Sequence, residues 1–244
     1  MGIDILGVDL DGTLVDTAPA IAEAANRTLA AHGLPPRAPG QIADLIGHGA
    51  RHLMLQLLAR EYHERPALAD TVRHDAVLER FEHEWLALVG ASAPAYPGVR
   101  EALQRLRDAG VRLACVSNKE RRHAWRVLAA AGLADAFDVV IGGDTLPHRK
   151  PHGSVLRHVV ERLRGDARRA AHVGDSSIDV EAARNAGVAA WAVPYGYNGG
   201  RPVAQARPDR IFDSLSAVAD HVLVLRARCV EPRGVACAAP RGAP

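Results

Sequence analysis

Directly after an apolar run, residues 9–16 read Asp9-Leu10-Asp11-Gly12-Thr13-Leu14-Val15-Asp16. The preceding run, Ile3 to Val8, is broken by a single aspartate and predicts a buried strand, after which Gly12 lets the chain turn. Ligands of parallel α/β sheets bind beyond the carboxyl ends of the strands, so Asp9 and Asp11 lie where an active site is expected. Because strand geometry repeats every two residues, both side chains should point the same way.

The charged residues add two further indications. Two carboxylates as close as Asp9 and Asp11 repel each other, so the pair indicates a cation between them or a shared proton, unless it is an ordinary Asp-rich turn.

Of thirty basic residues, only Lys119 and Lys150 are lysines, and both follow apolar runs. A lysine kept among so many arginines favours a site that needs a compact ammonium. Lys119 has the weaker case, and we expect it to be solvated.

The composition predicts a soluble protein with one main core. The chain has 244 residues, of which 48% are hydrophobic and 24% charged, and its formal net charge is +2. This charge gives no reason to expect nucleic acid or an anionic membrane as a partner. The sequence contains no long apolar stretch and no basic segment followed by an apolar run, so we expect a cytoplasmic protein. Three cysteines do not suggest a disulfide framework.

The periodicity of the apolar residues divides the chain into a helical block and an alternating block. Residues 17 to about 92 show helical spacing and no strand pattern. The helices predicted there are Thr17–His32, Gln41–Ile46, one starting at Ala50, and Ala69–Val89. From Tyr96 onward, strands alternate with helices, which favours a parallel sheet. The strands predicted there are Val111–Val116, Phe137–Ile141, Ala170–Val173 and Val188–Val193. From Arg226 the composition predicts a disordered tail.

Polar residues follow each of four predicted strands or lie close beyond them. They are Asp9, Asp11 and Thr13; Ser117-Asn118-Lys119; Lys150-Pro151; and Gly174-Asp175-Ser176-Ser177-Ile178-Asp179. Each group alone is an ordinary turn or helix-capping sequence. Together they bring carboxylates, a hydroxyl and an ammonium to one edge of one sheet, a combination that a purely structural role hardly explains.

The order D-x-D-G-T, S-N, K-P and G-D-x-x-x-D resembles the haloacid dehalogenase-like hydrolase superfamily over most of the predicted sheet. The resemblance implies an α/β fold in which a Rossmann-like parallel sheet carries an inserted all-helical cap. The core would comprise residues 1–16 and 93–225, the cap residues 17–92, and the tail residues 226–244. Within this superfamily, two stretches resemble bacterial phosphoglycolate phosphatases. They are Ile46–Ala50 and the segment from Pro194–Gly199 through Pro208-Asp209. Lys150-Pro151-His152-Gly153-Ser154 departs from the pattern, because relatives often carry a second proline after the histidine.

The resemblance implies a role for each residue at the sheet edge. Asp9 would attack phosphorus and form an aspartyl phosphate, and Asp11 would act as general acid and base. Asp9, Asp175 and the backbone carbonyl of Asp11 would hold Mg²⁺, a cation that prefers oxygen ligands. The phosphoryl oxygens would be bound by Thr13, Ser117, the Asn118 backbone and Lys150. Asp179 would orient Lys150 or a metal-bound water.

In the cap, Gly49 and Arg51 are candidates for binding a substrate carboxylate, because exposed helix N–H groups and a guanidinium both suit an anion. A solvent-facing arginine is the alternative. The expected function is hydrolysis of 2-phosphoglycolate to glycolate and phosphate with Mg²⁺, and the expected partner is this small phosphate ester. Another small phosphate ester, or a phosphosugar mutase reaction, stays open. Dehalogenation and a non-enzymatic ligand-binding role are less favoured. The chain could be a monomer or a homodimer.

Overall fold

A six-stranded, all-parallel sheet forms the centre of the computed structural model, which describes residues 2–88 and 93–230. The strands are β1 (Ile5–Val8), β2 (Arg112–Val116), β3 (Val139–Ile141), β4 (Ala170–Gly174), β5 (Ala189–Ala192) and β6 (Arg210–Ile211). Their spatial order is β3-β2-β1-β4-β5-β6, so the chain runs outward from β1 in both directions. The predicted α/β fold is confirmed, and the switch point of this order places a binding crevice beyond the carboxyl ends of β1 and its neighbours.

Four helices follow β1 within residues 18–88. They are α1 (Ala18–Ala31), α2 (Pro39–Ala43), α3 (Ala50–Glu64) and α4 (His74–Leu88). Helix α1 is rich in alanine and packs against α4, and the stripe Leu53, Met54, Leu57 and Leu58 of α3 is buried as its spacing predicts. No strand occurs between β1 and β2 in the residues that are described, 89–92 being outside them.

Two of these helices differ from the sequence prediction. The helix predicted over Ala69–Val89 is confirmed from His74 to Leu88, but its predicted start is wrong, because a 3-10 turn (Pro66–Asp70) precedes it. Val72 turns into the core after that turn, and its carbonyl accepts a hydrogen bond from the Tyr62 hydroxyl at 2.9 Å. Val89 lies outside the described residues. Helix α2 starts two residues earlier than predicted and ends three earlier, since Pro39 suits the first turn of a helix.

The remaining helices flank the sheet. They are α5 (Val99–Asp108), α6 (Arg121–Ala130), α7 (Ser154–Arg162), α8 (Ser177–Ala186) and α9 (Leu215–Val230). The disorder predicted from Arg226 is wrong for residues 226–230, which continue α9, whereas residues 231–244 lie outside the described part. Arg226 ties this helix to the start of β1, because its Nη1 contacts the Ile3 carbonyl at 2.9 Å and the Asp4 carboxylate at 2.8 Å.

None of the helices in the described ranges combines the length and the apolar character that crossing a bilayer would require.

Candidate active site

Lys150 lies at the centre of the residues that the strand ends bring together. Its side chain is 2% exposed, and its Nζ lies 2.9 Å from Asp9 Oδ1 and 2.7 Å from Asp179 Oδ1. The same ammonium donates to the Val116 carbonyl at the end of β2, at 2.7 Å. Burial lowers the pKa of Lys150, but the two carboxylates outweigh this effect and hold it above its usual value. One buried positive charge therefore contacts groups that follow or end two strands, β1 and β2, and a carboxylate in the first turn of α8.

Asp179 is fully occupied by contacts within the protein. Besides Lys150, its carboxylate contacts the buried His172 ring at 2.9 Å and accepts a hydrogen bond from the Ser176 hydroxyl at 2.6 Å. Burial raises the pKa of Asp179, yet the Lys150 charge and the His172 hydrogen bond hold it well below its usual range. Asp179 contacts Lys150 directly, and its expected role in orienting Lys150 or a metal-bound water stays a prediction. His172 was not singled out from the sequence, because it occupies an ordinary core position of β4.

Asp9 and Asp175 are the carboxylates best placed to hold a cation. Carboxylate oxygens of Asp9, Asp175 and Asp179 lie within 4.8 Å of one another. Burial raises the pKa of Asp9 to about 7 and that of Asp175 well above its usual value. The Thr13 hydroxyl donates to one oxygen of Asp175 at 3.0 Å, and the Tyr197 backbone N–H donates to the other. Buried carboxylate oxygens at raised pKa form a donor set that fits a hard divalent cation.

Asp11 faces different partners from Asp9, although both line the same cavity. Its Oδ1 accepts a hydrogen bond from the Thr17 hydroxyl at 2.6 Å, and its Oδ2 lies 3.3 Å from Lys119 Nζ. The side chain of Lys119 is only 13% exposed, and its ammonium lies 4.4 Å from the centroid of the Trp85 ring. The expectation that Lys119 is solvated is therefore wrong. Its place directly after a strand was the available signal, whereas nothing local pointed to Trp85.

Ser117 and Asn118 follow β2 at the sheet edge, as the sequence predicts, and Asn118 contacts Lys150. Both are buried and line the cavity. The Asn118 amide donates to the Lys150 carbonyl at 3.0 Å and to the Gly47 carbonyl at 2.9 Å. Ser117 accepts the backbone N–H of Lys119 at 3.1 Å. Asn118 thus joins the sheet edge to the segment that precedes α3.

A cavity of about 520 Å³ lies between this sheet edge and residues of α1, α3 and α4. Gly49 and Arg51 both line it, and Arg51 is exposed. Gly49 has φ +88°, and a Cβ there would lie 3.1 Å from the Asn118 carbonyl oxygen and 3.7 Å from Arg149 Nη1. Glycine is therefore required where this turn approaches the sheet edge. Arg149 is exposed and also lines the cavity, and no motif of the sequence pointed to it.

The fold and these strand-end residues define a class of hydrolase. The chain belongs to the haloacid dehalogenase-like hydrolase family, whose model matches residues 3–187. The resemblance drawn from the four motifs is thereby confirmed.

Relatives extend this match over most of the chain. A phosphoglycolate phosphatase of Vibrio vulnificus is 38% identical over 222 residues, which cover 91% of this chain and 97% of that protein. A protein of Cupriavidus necator named "Phosphoglycolate phosphatase, plasmid" is 41% identical over 211 residues, covering 86% and 89%. The crystal structure of a predicted phosphoglycolate phosphatase from Haemophilus somnus aligns with a TM-score of 0.84 at 30% identity, covering 90% and 97%.

Proposed function

We propose that this protein is a Mg²⁺-dependent phosphatase that hydrolyses 2-phosphoglycolate to glycolate and phosphate. The observation that carries the proposal is the buried Lys150 ammonium, which contacts both Asp9 and Asp179 beside a cavity that Asp9 and Asp175 line. A phosphate monoester is dianionic, so a carboxylate can approach it only where positive charge is already in place. Relatives named phosphoglycolate phosphatase support the choice of substrate.

Asp9 is the proposed nucleophile. One of its carboxylate oxygens forms a bond to phosphorus, the bond from phosphorus to the ester oxygen breaks, and Asp11 gives its proton to the departing alkoxide. Water then attacks the aspartyl phosphate and gives its proton to Asp11. Inorganic phosphate leaves, and the Asp9 carboxylate is restored. Lys150 faces Asp9 throughout and offsets the charge on the transferring oxygens, together with Ser117 and the Asn118 backbone.

The cation site is proposed to consist of Asp9, Asp175 and the backbone carbonyl of Asp11. Mg²⁺ bound there would neutralise charge on the phosphoryl group and on the carboxylates. Thr13 and the Tyr197 backbone N–H hold Asp175 from both of its oxygens, which fixes the orientation of this ligand. Asp179 supports the site through Lys150 rather than through the ion.

Residues 17–92 are proposed to act as a cap over a core of residues 1–16 and 93–225. The substrate carboxylate would bind at the turn of Gly49 and the guanidinium of Arg51, both of which line the cavity. Among the described residues, Arg51 forms no ion pair with a carboxylate of the protein. Arginine matches a carboxylate with two parallel hydrogen bonds, which a small substrate of this kind can use.

The direct test measures phosphate release by the purified protein with Mg²⁺ from 2-phosphoglycolate and a panel of small phosphate esters. We expect the highest kcat/KM on 2-phosphoglycolate, without any added bisphosphate. Conversion of a sugar phosphate into its isomer, dependent on a sugar bisphosphate, would show a mutase instead. A higher kcat/KM on another ester of the panel would refute 2-phosphoglycolate as the substrate but would still support a phosphatase reaction.

A further inference from the structure

A chain of contacts links helix α4 to the proposed acid and base, Asp11. The Trp85 ring of α4 lies 4.4 Å from Lys119 Nζ, and this ammonium lies 3.3 Å from Asp11 Oδ2. Trp85 is 3% exposed, so its ring is fixed in the packing of α4. The Thr17 hydroxyl holds the other oxygen of Asp11 at 2.6 Å. Asp11 is therefore contacted at both oxygens, and the ammonium at one of them also lies against a side chain of α4.

The pairing of Lys119 with Asp11 is selective. Glu82 and Glu120 line the same cavity and could attract the ammonium. Arg122 contacts both of them, Glu82 at 2.9 Å and Glu120 at 3.0 Å, which reduces their pull on a neighbouring cation. Among the described residues, the only carboxylate within 4.0 Å of Lys119 Nζ is that of Asp11. An indole face attracts a cation more strongly than other aromatic rings do, and it does so without accepting a proton.

We infer that Trp85 is a positioning residue that holds Lys119 against Asp11 and so fixes the group that protonates the leaving alkoxide. This inference rests on the proposed phosphatase function. Trp85 acts through Lys119, and Lys119 acts through Asp11, so neither side chain takes part in bond making. The residues of α4 would thereby contribute to the chemical step and not only to enclosing the substrate.

The inference predicts a dependence on the leaving group. An alkoxide is a poor leaving group and needs the proton of Asp11 as its bond to phosphorus breaks, whereas p-nitrophenolate leaves without protonation. The parameter kcat/KM reports the steps up to this bond cleavage. Weakening the hold on Asp11 should therefore lower kcat/KM for alkyl phosphates and leave it nearly unchanged for p-nitrophenyl phosphate.

The experiment compares Trp85→Leu, Trp85→Phe, Lys119→Met and the double variant Trp85→Leu/Lys119→Met in the full-length protein with Mg²⁺. The substrates are 2-phosphoglycolate, ethyl phosphate and p-nitrophenyl phosphate. Ethyl phosphate has a poor leaving group but no carboxylate, so it separates loss of the acid from loss of a carboxylate contact. Trp125→Leu is the matched control, because Trp125 is an exposed tryptophan of α6 outside the cavity lining.

We expect Trp85→Leu to lower kcat/KM about tenfold for both alkyl phosphates and less than twofold for p-nitrophenyl phosphate, a difference that corresponds to a partly buried cation–π contact. Trp85→Phe should retain part of the activity. The double variant should be no worse than Lys119→Met alone, because the two residues act in series.

Three results would overturn the inference. Equal losses on all three substrates would make Trp85 a structural residue, and losses confined to 2-phosphoglycolate would make Lys119 a carboxylate contact. Multiplying losses in the double variant would show that the two residues act independently. A wild-type protein inactive on all three esters would instead refute the proposed phosphatase function, so the two failures are distinguishable.

Discussion

Replacing Lys150 tests whether the site needs a compact ammonium or only positive charge. Lys150→Arg keeps the charge, and Lys150→Met keeps most of the side-chain length without it. In the structure three acceptors lie within 2.9 Å of the single Nζ atom: Asp9 Oδ1, Asp179 Oδ1 and the Val116 carbonyl. A guanidinium distributes its donors over three nitrogens in one plane, so it cannot place one atom among all three acceptors.

The magnitude follows from the contacts that are lost. Each hydrogen bond to a charged group contributes about 1.5–3 kcal/mol, so losing those to Asp9 and Asp179 costs about 3–6 kcal/mol. If this cost falls on the transition state, kcat drops by about a hundred- to ten-thousandfold in Lys150→Arg. Lys150→Met also leaves two buried carboxylates without a cation, which should lower the free energy of unfolding by about 3–5 kcal/mol.

The assay pairs steady-state kinetics on 2-phosphoglycolate with urea unfolding of the same preparations. Arg168→Lys is the control, because Arg168 is an exposed surface residue paired with Asp166, and it should change neither quantity. A kcat of Lys150→Arg within tenfold of wild type would show that positive potential alone is sufficient. That result would also remove the reason why this arginine-rich chain carries a lysine here.

Three further predictions concern the nucleophile, the cation and the substrate. Asp9→Asn should lower kcat by about a thousandfold or more with little change in Tm, and activity within tenfold of wild type would refute a covalent mechanism. Chelation should abolish activity and Mg²⁺ restore it. Because burial raises the pKa of Asp9 to about 7 and that of Asp175 above its usual value, the folded metal-free protein binds the extra protons. Its stability should fall as pH rises from about 4 to 7, and Mg²⁺ should raise Tm more at about pH 8 than at about pH 5; equal shifts would contradict the site. Arg51→Ala should lower kcat/KM for 2-phosphoglycolate about ten- to a hundredfold and spare p-nitrophenyl phosphate, whereas Arg60→Ala on the same helix should spare both.

The sheet and its edge were predictable because their signals are local. An apolar run, a turn and a polar group recur at β1, β2 and β4, and parallel strands bring their carboxyl ends together whatever the details of packing. Asp9, Lys150 and Asp175 were therefore predicted as neighbours from their places along the chain. Their separation in sequence did not matter, since the topology of the sheet brings them together.

The contacts around these residues were not predictable in the same way. His172 alternates with apolar residues in β4 and looks like a core residue until α8 places Asp179 against it. Trp85 has the spacing of a buried helix position, and it is buried, but the cation on its face comes from a loop that follows β2. The start of α4 was also missed, no helix was predicted over α9, and the disorder predicted from Arg226 was wrong up to Val230, because a 3-10 turn and a polar helix end respond to tertiary contacts that periodicity does not report.

The charges that line the cavity support a small substrate that is anionic at both ends. Arginines come from the start of α3 and from the residue before Lys150, whereas α4 contributes the carboxylates of Asp75, Glu79 and Glu82. An anion with its phosphate at Lys150 can direct a carboxylate toward Arg51 and Arg149 and avoid α4. A longer substrate with a second phosphate would bring negative charge toward the α4 carboxylates, and like charges at short range oppose binding. The same acidic helix carries Trp85, so α4 would disfavour large anions while it positions the acid for small ones.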